Sequence, residues 1–508
     1  MKALGSHRKP LECAYRKETR LVVRAKLADY YANEAPPVPS ERRREQRPLL
    51  NTIYPRGSVC AVVLGGGETD SRRMFPLTEK RTLPAIPLVG VYRLIDIPLS
   101  SLLNSGVNKV FVLTQYNSTS LNRYLQHTYD IHDSITLGRD CFVEVVAATQ
   151  GPKEQRWAEG AVDAVRQWME MWAPNANSRS IEDVLVLPSD QIYRLDFTQL
   201  IDMHRQSCAD LTLVCKPVEE AMLNFMGAVK VGPGAQVIGF EEKPVPERHD
   251  QLSMDWDDLV DFMNEPHLAS VPFLDPAEGG RTWVGSCGIM VFRSQALQRL
   301  LGDNVRAKDF GRDLIPAALK AGMKVMAYHL PSYWIDVGNG VPDFYKFHMD
   351  LTRNQVDFSF QDPASPVFGH PDPLPPTMCE DCQLHSSLLA MGCLLRSSSI
   401  HSSVIGSRTI IGPGCDIRDS VIMGADYYEH EKQWLRKVGP TYPAIGLGAG
   451  CVVHKAIVDK NARIGSNVQL VNKEGVFESM DRIGTGISIT GGIIVISKAA
   501  VVPDGTRV

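Results

Sequence analysis

From Val59 onward, short runs of β-branched and aliphatic residues alternate with helix-length segments. Residues 59–64, 109–113 and 184–187 are apolar at nearly every position. Runs of this kind are buried on both faces, and their separation predicts an α/β fold built on a parallel sheet with helical crossovers. Residues 211–215 and 288–292 extend the same predicted sheet. The pattern changes again near residue 354. Between 354 and 378 stand Pro363, Pro366, Pro371, Pro373, Pro375 and Pro376, a density that suits an extended, semi-rigid linker.

Beyond the linker, small-residue units recur about every six positions. Val404-Ile405-Gly406, Ile410-Ile411-Gly412, Cys415-Asp416-Ile417 and Val421-Ile422 form one set. Ala444-Ile445-Gly446, Cys451-Val452-Val453, Ile457-Val458, Arg463-Ile464-Gly465 and Val468 form another. A six-residue period places one aliphatic side chain on each flat face of a coil, where neighbouring coils stack it. This predicts a β-helix rather than ordinary hairpins. The interruption at residues 426–443 reads as a loop thrown out of one coil.

Composition changes this picture little, and charge changes it more. With 508 residues, 44% hydrophobic and 22% charged, the chain has ordinary globular usage, and its length suggests about three structural units. The 54 Lys+Arg against 58 Asp+Glu give a net charge of −4, which argues against nucleic acid as a partner. The balance is uneven, because residues 1–56 carry 13 Lys+Arg against 6 Asp+Glu and leave −11 for the rest. That first segment, with Arg42-Arg43-Arg44, reads as a basic extension: a targeting peptide or a plain solvated tail. Glu12, Glu18 and Asp29 weaken the targeting fit. No run approaches the roughly 18–20 apolar residues of a membrane span, and residues 492–502 are broken by Ser497 and Lys498. Eleven cysteines are too dilute and too odd in number for a disulfide scaffold, so a reducing compartment is expected.

Candidate chemistry begins where the first run ends in Gly65-Gly66-Gly67, at the carboxyl edge of a sheet. Glycines there let backbone N–H groups approach phosphate. Alone this is a weak signal. It is followed by Arg73-Met74-Phe75-Pro76-Leu77-Thr78, Leu83-Pro84-Ala85-Ile86-Pro87, Tyr92-Arg93-Leu94-Ile95-Asp96, Phe240-Glu241-Glu242-Lys243-Pro244, Tyr333-Trp334-Ile335-Asp336 and Gly424-Ala425-Asp426-Tyr427-Tyr428. In this order, over residues 58–508, the motifs make the chain closely resemble the sugar-nucleotide pyrophosphorylases. The likeness is strongest to plant-type ADP-glucose pyrophosphorylase.

The resemblance implies a Rossmann-like nucleotidyltransferase domain over residues 57–353 and a left-handed parallel β-helix over 379–508. It implies ATP and glucose 1-phosphate as substrates, ADP-glucose and pyrophosphate as products, and Mg²⁺ as cofactor. By motif position, Asp190 and Arg73 are the catalytic candidates, and Asp190 and Asp336 the metal ligands. Lys243 is the expected holder of the sugar phosphate. Glu242 and Ser286 are expected at the glucose hydroxyls, and Gly65, Gly66, Gly67, Gln150 and Gly160 at the nucleotide. Lys460 and Lys498 match effector lysines, which implies 3-phosphoglycerate as activator and phosphate as inhibitor. A heterotetramer with a catalytic small subunit and a plastid location follow from the same likeness, with the cytosol as the alternative.

Several positions depart from the catalytic pattern. Glu68 and Asp70 lengthen the glycine loop and add negative charge, at about 4 kcal/mol per ~4 Å like-charge contact before screening. Leu83 replaces a lysine that would face the leaving pyrophosphate, and loss of one such contact typically costs ~10²–10³ in rate. Glu159 replaces a glutamine and Ser189 a glycine. Together these resemble the regulatory large subunits of the family, so weak catalysis by the isolated chain is expected. The other reading is a non-catalytic assembly or sensing protein using the same fold. Cys379, Cys382 and His385 lack the second ligand pair that a structural zinc site needs.

Overall fold

The computed structural model describes residues 58–66, 72–107, 109–114, 117–129, 142–147, 160–169, 181–263, 282–353, 357–429, 442–480 and 484–508. All of them belong to the unit Arg56–Val508. The basic extension expected at residues 1–56, together with Gly67, Glu68, Asp70, Gln150 and Glu159, lies outside the described residues.

Among the described residues, thirteen strands lie in the first domain: β1 (Val59–Leu64), β2 (Pro87–Leu88), β3 (Tyr92–Arg93), β4 (Lys109–Thr114), β5 (Phe142–Ala147), β6 (Asp183–Pro188), β7 (Gln191–Tyr193), β8 (Leu211–Val218), β9 (Gly227–Gly232), β10 (Gln236–Glu242), β11 (Trp283–Arg293), β12 (Val325–His329) and β13 (Trp334–Asp336). Nine of them form one sheet in the order β5-β4-β1-β6-β11-β8-β12-β10-β9. Strands β5, β4, β1 and β6 run parallel, as the apolar runs predict. The sheet is mixed beyond that point, contrary to the parallel expectation. β11 lies antiparallel between β6 and β8, β8 returns parallel to β12, and β10 pairs antiparallel with β9. A fully apolar run such as residues 288–292 reads alike in either direction, since burial on both faces hides orientation from the pattern.

The Pro-rich segment leads into the β-helix, whose first strand is Met378–Glu380. Among the described residues three sheets run its length, with successive coils paired parallel, and the third sheet ends in two antiparallel strands, Ile487–Thr490 and Glu478–Ser479. The six-residue units read from Val404 onward are strands. The helix starts earlier, with Gln383–His385, Leu388–Leu389, Leu394–Arg396 and Ser399–His401 completing its first coils. Inside, Cys393, Leu395, Ile400, Ile405, Ile411, Cys415, Ile417, Cys451, Val453, Ile464 and Leu470 stack as one core.

A separate apolar cluster joins the two domains. Met74, Leu77, Leu83, Ile86, Leu88 and Leu94 pack with Val404, Val421, Met423, Ile457, Ile493 and Val495 from one face of the β-helix. Gly90 lies against Gly406, and Ser407 donates to the Gly90 carbonyl. The residues between the glycine loop and the helix Asp96–Asn104 are therefore both the floor of the candidate site and the contact surface of the second domain.

Candidate active site

The carboxyl ends of β1 and β6 are tied together before any ligand is considered. The Ser189 hydroxyl donates to the Leu64 carbonyl, and the Thr82 hydroxyl to the Gly65 carbonyl at 2.9 Å. Gly65 donates to Leu113 O at 2.8 Å, and Gly66 adopts a left-handed φ of 76°, which favours glycine. The start of the glycine loop is thus held by three neighbouring segments. Ser189, a departure from the catalytic pattern, serves as one of the ties.

Asp190 and Asp336 come together across a two-stranded ladder. β7 pairs antiparallel with β13, with Gln191 opposite Asp336, and Val337 N–H donates to the Asp190 carbonyl at 3.1 Å. The Asp336 carboxylate accepts from Gly338 N–H at 2.8 Å. The Asp190 carboxylate lies so close to Gly338 that a Cβ there would stand 2.3 Å from its Oδ2. Both carboxylates therefore gather at one backbone glycine. Trp334 locks the ladder, donating its indole N–H to the Gln191 side-chain oxygen at 3.0 Å. Two hard oxygen donors suit Mg²⁺, which keeps several waters and needs only one or two carboxylates. No group of three or more His, Cys, Asp or Glu that could hold a metal occurs among the described residues.

The sugar-phosphate candidates form a second group. Glu242 ends β10, and its carboxylate sits between Gly227 and Gly311, where added Cβ atoms would lie 2.8 and 2.3 Å from Oε2. Burial raises its pKa and Asp309 adds to the rise, while Lys243, Arg312 and Arg73 pull it down. Lys243, Arg312 and Arg73 thus all act electrostatically on one carboxylate. Lys243 is exposed and holds a left-handed φ of 50°. Ser286 lies where the β11–β8 register shifts, between Ser286 and Met290, and its hydroxyl accepts from Gly288 N–H at 3.3 Å. Beside it, burial pushes the Cys287 thiol up to about 12, which leaves it an inert neighbour.

Gly160, expected at the nucleotide, packs on the loop at residues 308–313: a Cβ there would stand 2.3 Å from Lys308 O, and Val162 N–H donates to the same carbonyl at 3.1 Å. That loop also carries Gly311 beneath Glu242. The sequence reading missed it because no motif marks it; its place comes from tertiary contacts with two distant segments.

Leu83 is 1% exposed and belongs to the apolar cluster that joins the domains. The position where the catalytic pattern has lysine is here part of a hydrophobic floor.

Lys460 and Lys498 also come together. Both pair with Asp426, at 3.1 and 3.6 Å, and Asn461 donates to the same carboxylate at 2.8 Å. Burial alone would raise the Asp426 pKa, but Lys460, Lys498 and Asn461 outweigh it and hold the carboxyl well below the usual range. Burial lowers the Lys460 pKa, with Asp426 opposing. The sequence reading missed the first domain's share of this cluster. Arg81, 3% exposed, pairs with the buried Asp459, and Lys80 donates to the Lys498 carbonyl at 2.9 Å. Arg93, which stacks 4.0 Å over the Tyr124 ring, and Arg81 both lower the Lys460 pKa further by like-charge repulsion. Arg81, at the cation cluster, is followed in the chain by Thr82, at the glycine loop.

Residues 60–354 match the family model described as Nucleotidyl transferase, and the chain belongs to that family. Residues 373–507 match the GLGC left-handed parallel beta-helix domain. A nucleotidyltransferase domain followed by this β-helix is the architecture of the ADP-glucose pyrophosphorylase family.

Proposed function

We propose that the chain is a subunit of a glucose-1-phosphate adenylyltransferase, forming ADP-glucose and pyrophosphate for starch synthesis in a plastid. Its role is regulatory and its own catalysis weak. The observation that carries the reading is the convergence of Asp190 and Asp336 on Gly338, together with the Glu242, Lys243 and Arg73 group. A phosphoryl-transfer site of this kind needs carboxylates for a metal and cations for phosphates.

In this reading Lys243 and Arg73 neutralise phosphate oxygens, and Glu242 and Ser286 orient the glucose hydroxyls. The sugar phosphate oxygen is thereby held in line with the α-phosphorus of ATP. Gly65 and Gly66 let the backbone approach the triphosphate. Asp190 and Asp336 would hold Mg²⁺, which when bound would supply charge neutralisation for the phosphates. Leu83 offers no charge to the departing pyrophosphate, which supports weak catalysis. The cluster of Lys460, Lys498, Arg81 and Arg93 supports control by a small phosphorylated acid such as 3-phosphoglycerate, and by phosphate, with Asp426 as the internal anion to be displaced. The partner is a catalytic small subunit in a heterotetramer.

The experiment is Mg²⁺-dependent pyrophosphorolysis of ADP-glucose by the chain alone and after mixing with a catalytic small subunit. Little activity alone and a changed 3-phosphoglycerate response in the mixture are expected. High activity alone would overturn the regulatory role. A second reading, a non-catalytic assembly or sensing protein, draws on the apolar burial of Leu83; it requires that neither ATP nor ADP-glucose binds.

A further inference from the structure

We propose that Arg312 holds the phosphate of the phosphorylated sugar together with Lys243. The inference rests on the sugar-nucleotide reading of the site. It adds a second cation at the sugar phosphate, apart from the pyrophosphate that Leu83 leaves uncompensated.

The loop at residues 308–313 is anchored on both sides. Lys308 O receives Val162 N–H and lies against Gly160, on the nucleotide side. Gly311 lies against the Glu242 carboxylate, on the sugar side, with no room for a side chain between them. Arg312 is the next residue, so its backbone is fixed beside the pocket that Glu242 and Lys243 define.

The loop's two carboxylates are committed to its own backbone. Asp309 Oδ1 accepts from Arg312 N–H at 2.9 Å, while Asp313 Oδ2 accepts from Lys308 N–H at 2.7 Å and Asp309 N–H at 3.0 Å. They brace the entry to the helical turn Phe310–Leu314. The Arg312 side chain is exposed, and its guanidinium has no hydrogen-bond or ion-pair partner among the described residues. Its charge reaches the site nevertheless, since it is one of three cations that lower the Glu242 pKa.

A dianionic sugar phosphate between Lys243 and Arg312 would meet a point charge on one side and a planar, bidentate donor on the other. Glu242 beside them is left to accept hydrogen bonds from the sugar hydroxyls. Lys243 alone would have to offset both Glu242 and the phosphate. A second cation on a preorganised turn makes the local balance favourable in a domain whose overall charge is negative.

The test is isothermal titration calorimetry of the full chain with Mg²⁺, using glucose 1-phosphate, ADP-glucose and glucose as titrants. Arg312→Ala is expected to weaken glucose 1-phosphate binding by about tenfold, and Arg312→Lys to recover most of it, because a charged hydrogen bond is restored without the bidentate geometry. The melting temperature should not move, as the side chain is exposed. If Arg312→Ala binds like the wild type while Lys243→Ala is weakened, the assignment of Arg312 is overturned and the sugar-phosphate reading stands. If the wild-type chain binds neither glucose 1-phosphate nor ADP-glucose, both are overturned.

Discussion

Replacing Gly338 by alanine isolates the arrangement on which the metal assignment rests. The new Cβ would stand 2.3 Å from Asp190 Oδ2, 2.8 Å from its Cγ and 2.9 Å from its Cβ. Ordinary contacts begin near ~3.5 Å, so the carboxylate must retreat by about 1 Å. A misplacement of that size at a reacting centre costs on the order of 10²-fold in rate. Gly338 is not in the left-handed region, so alanine adds no backbone strain there. Gly340→Ala is the matched control, since its Cβ would meet only Pro342 Cδ at 3.4 Å. The assay is the Mg²⁺ enhancement of ADP-glucose affinity by calorimetry, alongside the chain's own pyrophosphorolysis. Gly338→Ala should lose most of the enhancement and about 10²-fold of the rate, whereas Gly340→Ala should lose neither. Equal behaviour of Gly338→Ala and the wild type would refute the placement of the metal at Asp190.

Leu83→Lys places an ammonium in the cluster between the domains. It should lower stability by about 3 kcal/mol in denaturant unfolding without restoring catalysis; a large gain in activity at unchanged stability would show that position 83 opens to the triphosphate. Thr82→Val keeps the shape but leaves the Gly65 carbonyl without its 2.9 Å partner. ATP binding should weaken by about tenfold, an effect of ~1–1.5 kcal/mol, and unchanged affinity would remove Thr82 as the tie between the loop and the cation cluster. His348 is buried, donates from Nδ1 to Phe344 O at 2.8 Å and accepts Val89 N–H at Nε2 at 3.1 Å; burial lowers its pKa to about 4. Because the folded value lies below the ordinary one, the stability it contributes is fully present above pH ~6.5 and is lost as pH falls through about 4, by about 3 kcal/mol. Unfolding curves of His348→Gln should fall less steeply than wild type between those pH values, and parallel curves would refute the neutral buried ring.

What the sequence disclosed depended on how local each signal was. Val59–Leu64 and Asp183–Pro188 read as strands because all but the last position of each is buried, and the coils from Val404 read as repeats because stacking demands one aliphatic residue per face. The first coils were harder to see. Met378, Leu384 and Leu388 lie on an open edge and are exposed, so the six-residue period is weakest there. Asp190, Asp336, Glu242 and Lys243 were legible as motifs, but the glycines that seat the carboxylates, Gly338 and Gly311, gain meaning only from contacts across the fold. The Arg81–Asp459 pair and the loop at residues 308–313 were not legible for the same reason: each is defined by a partner far away in sequence. The antiparallel course of Trp283–Arg293 was hidden because a strand buried on both faces carries no mark of direction.

The most direct test of the whole account is calorimetric titration of the full chain with ADP-glucose, with and without Mg²⁺, comparing wild type with Asp190→Asn and Lys243→Ala. Mg²⁺-dependent binding by the wild type is expected, with loss of the Mg²⁺ dependence in Asp190→Asn and loss of affinity in Lys243→Ala. Absence of binding by the wild type, or binding indifferent to both substitutions, would contradict it.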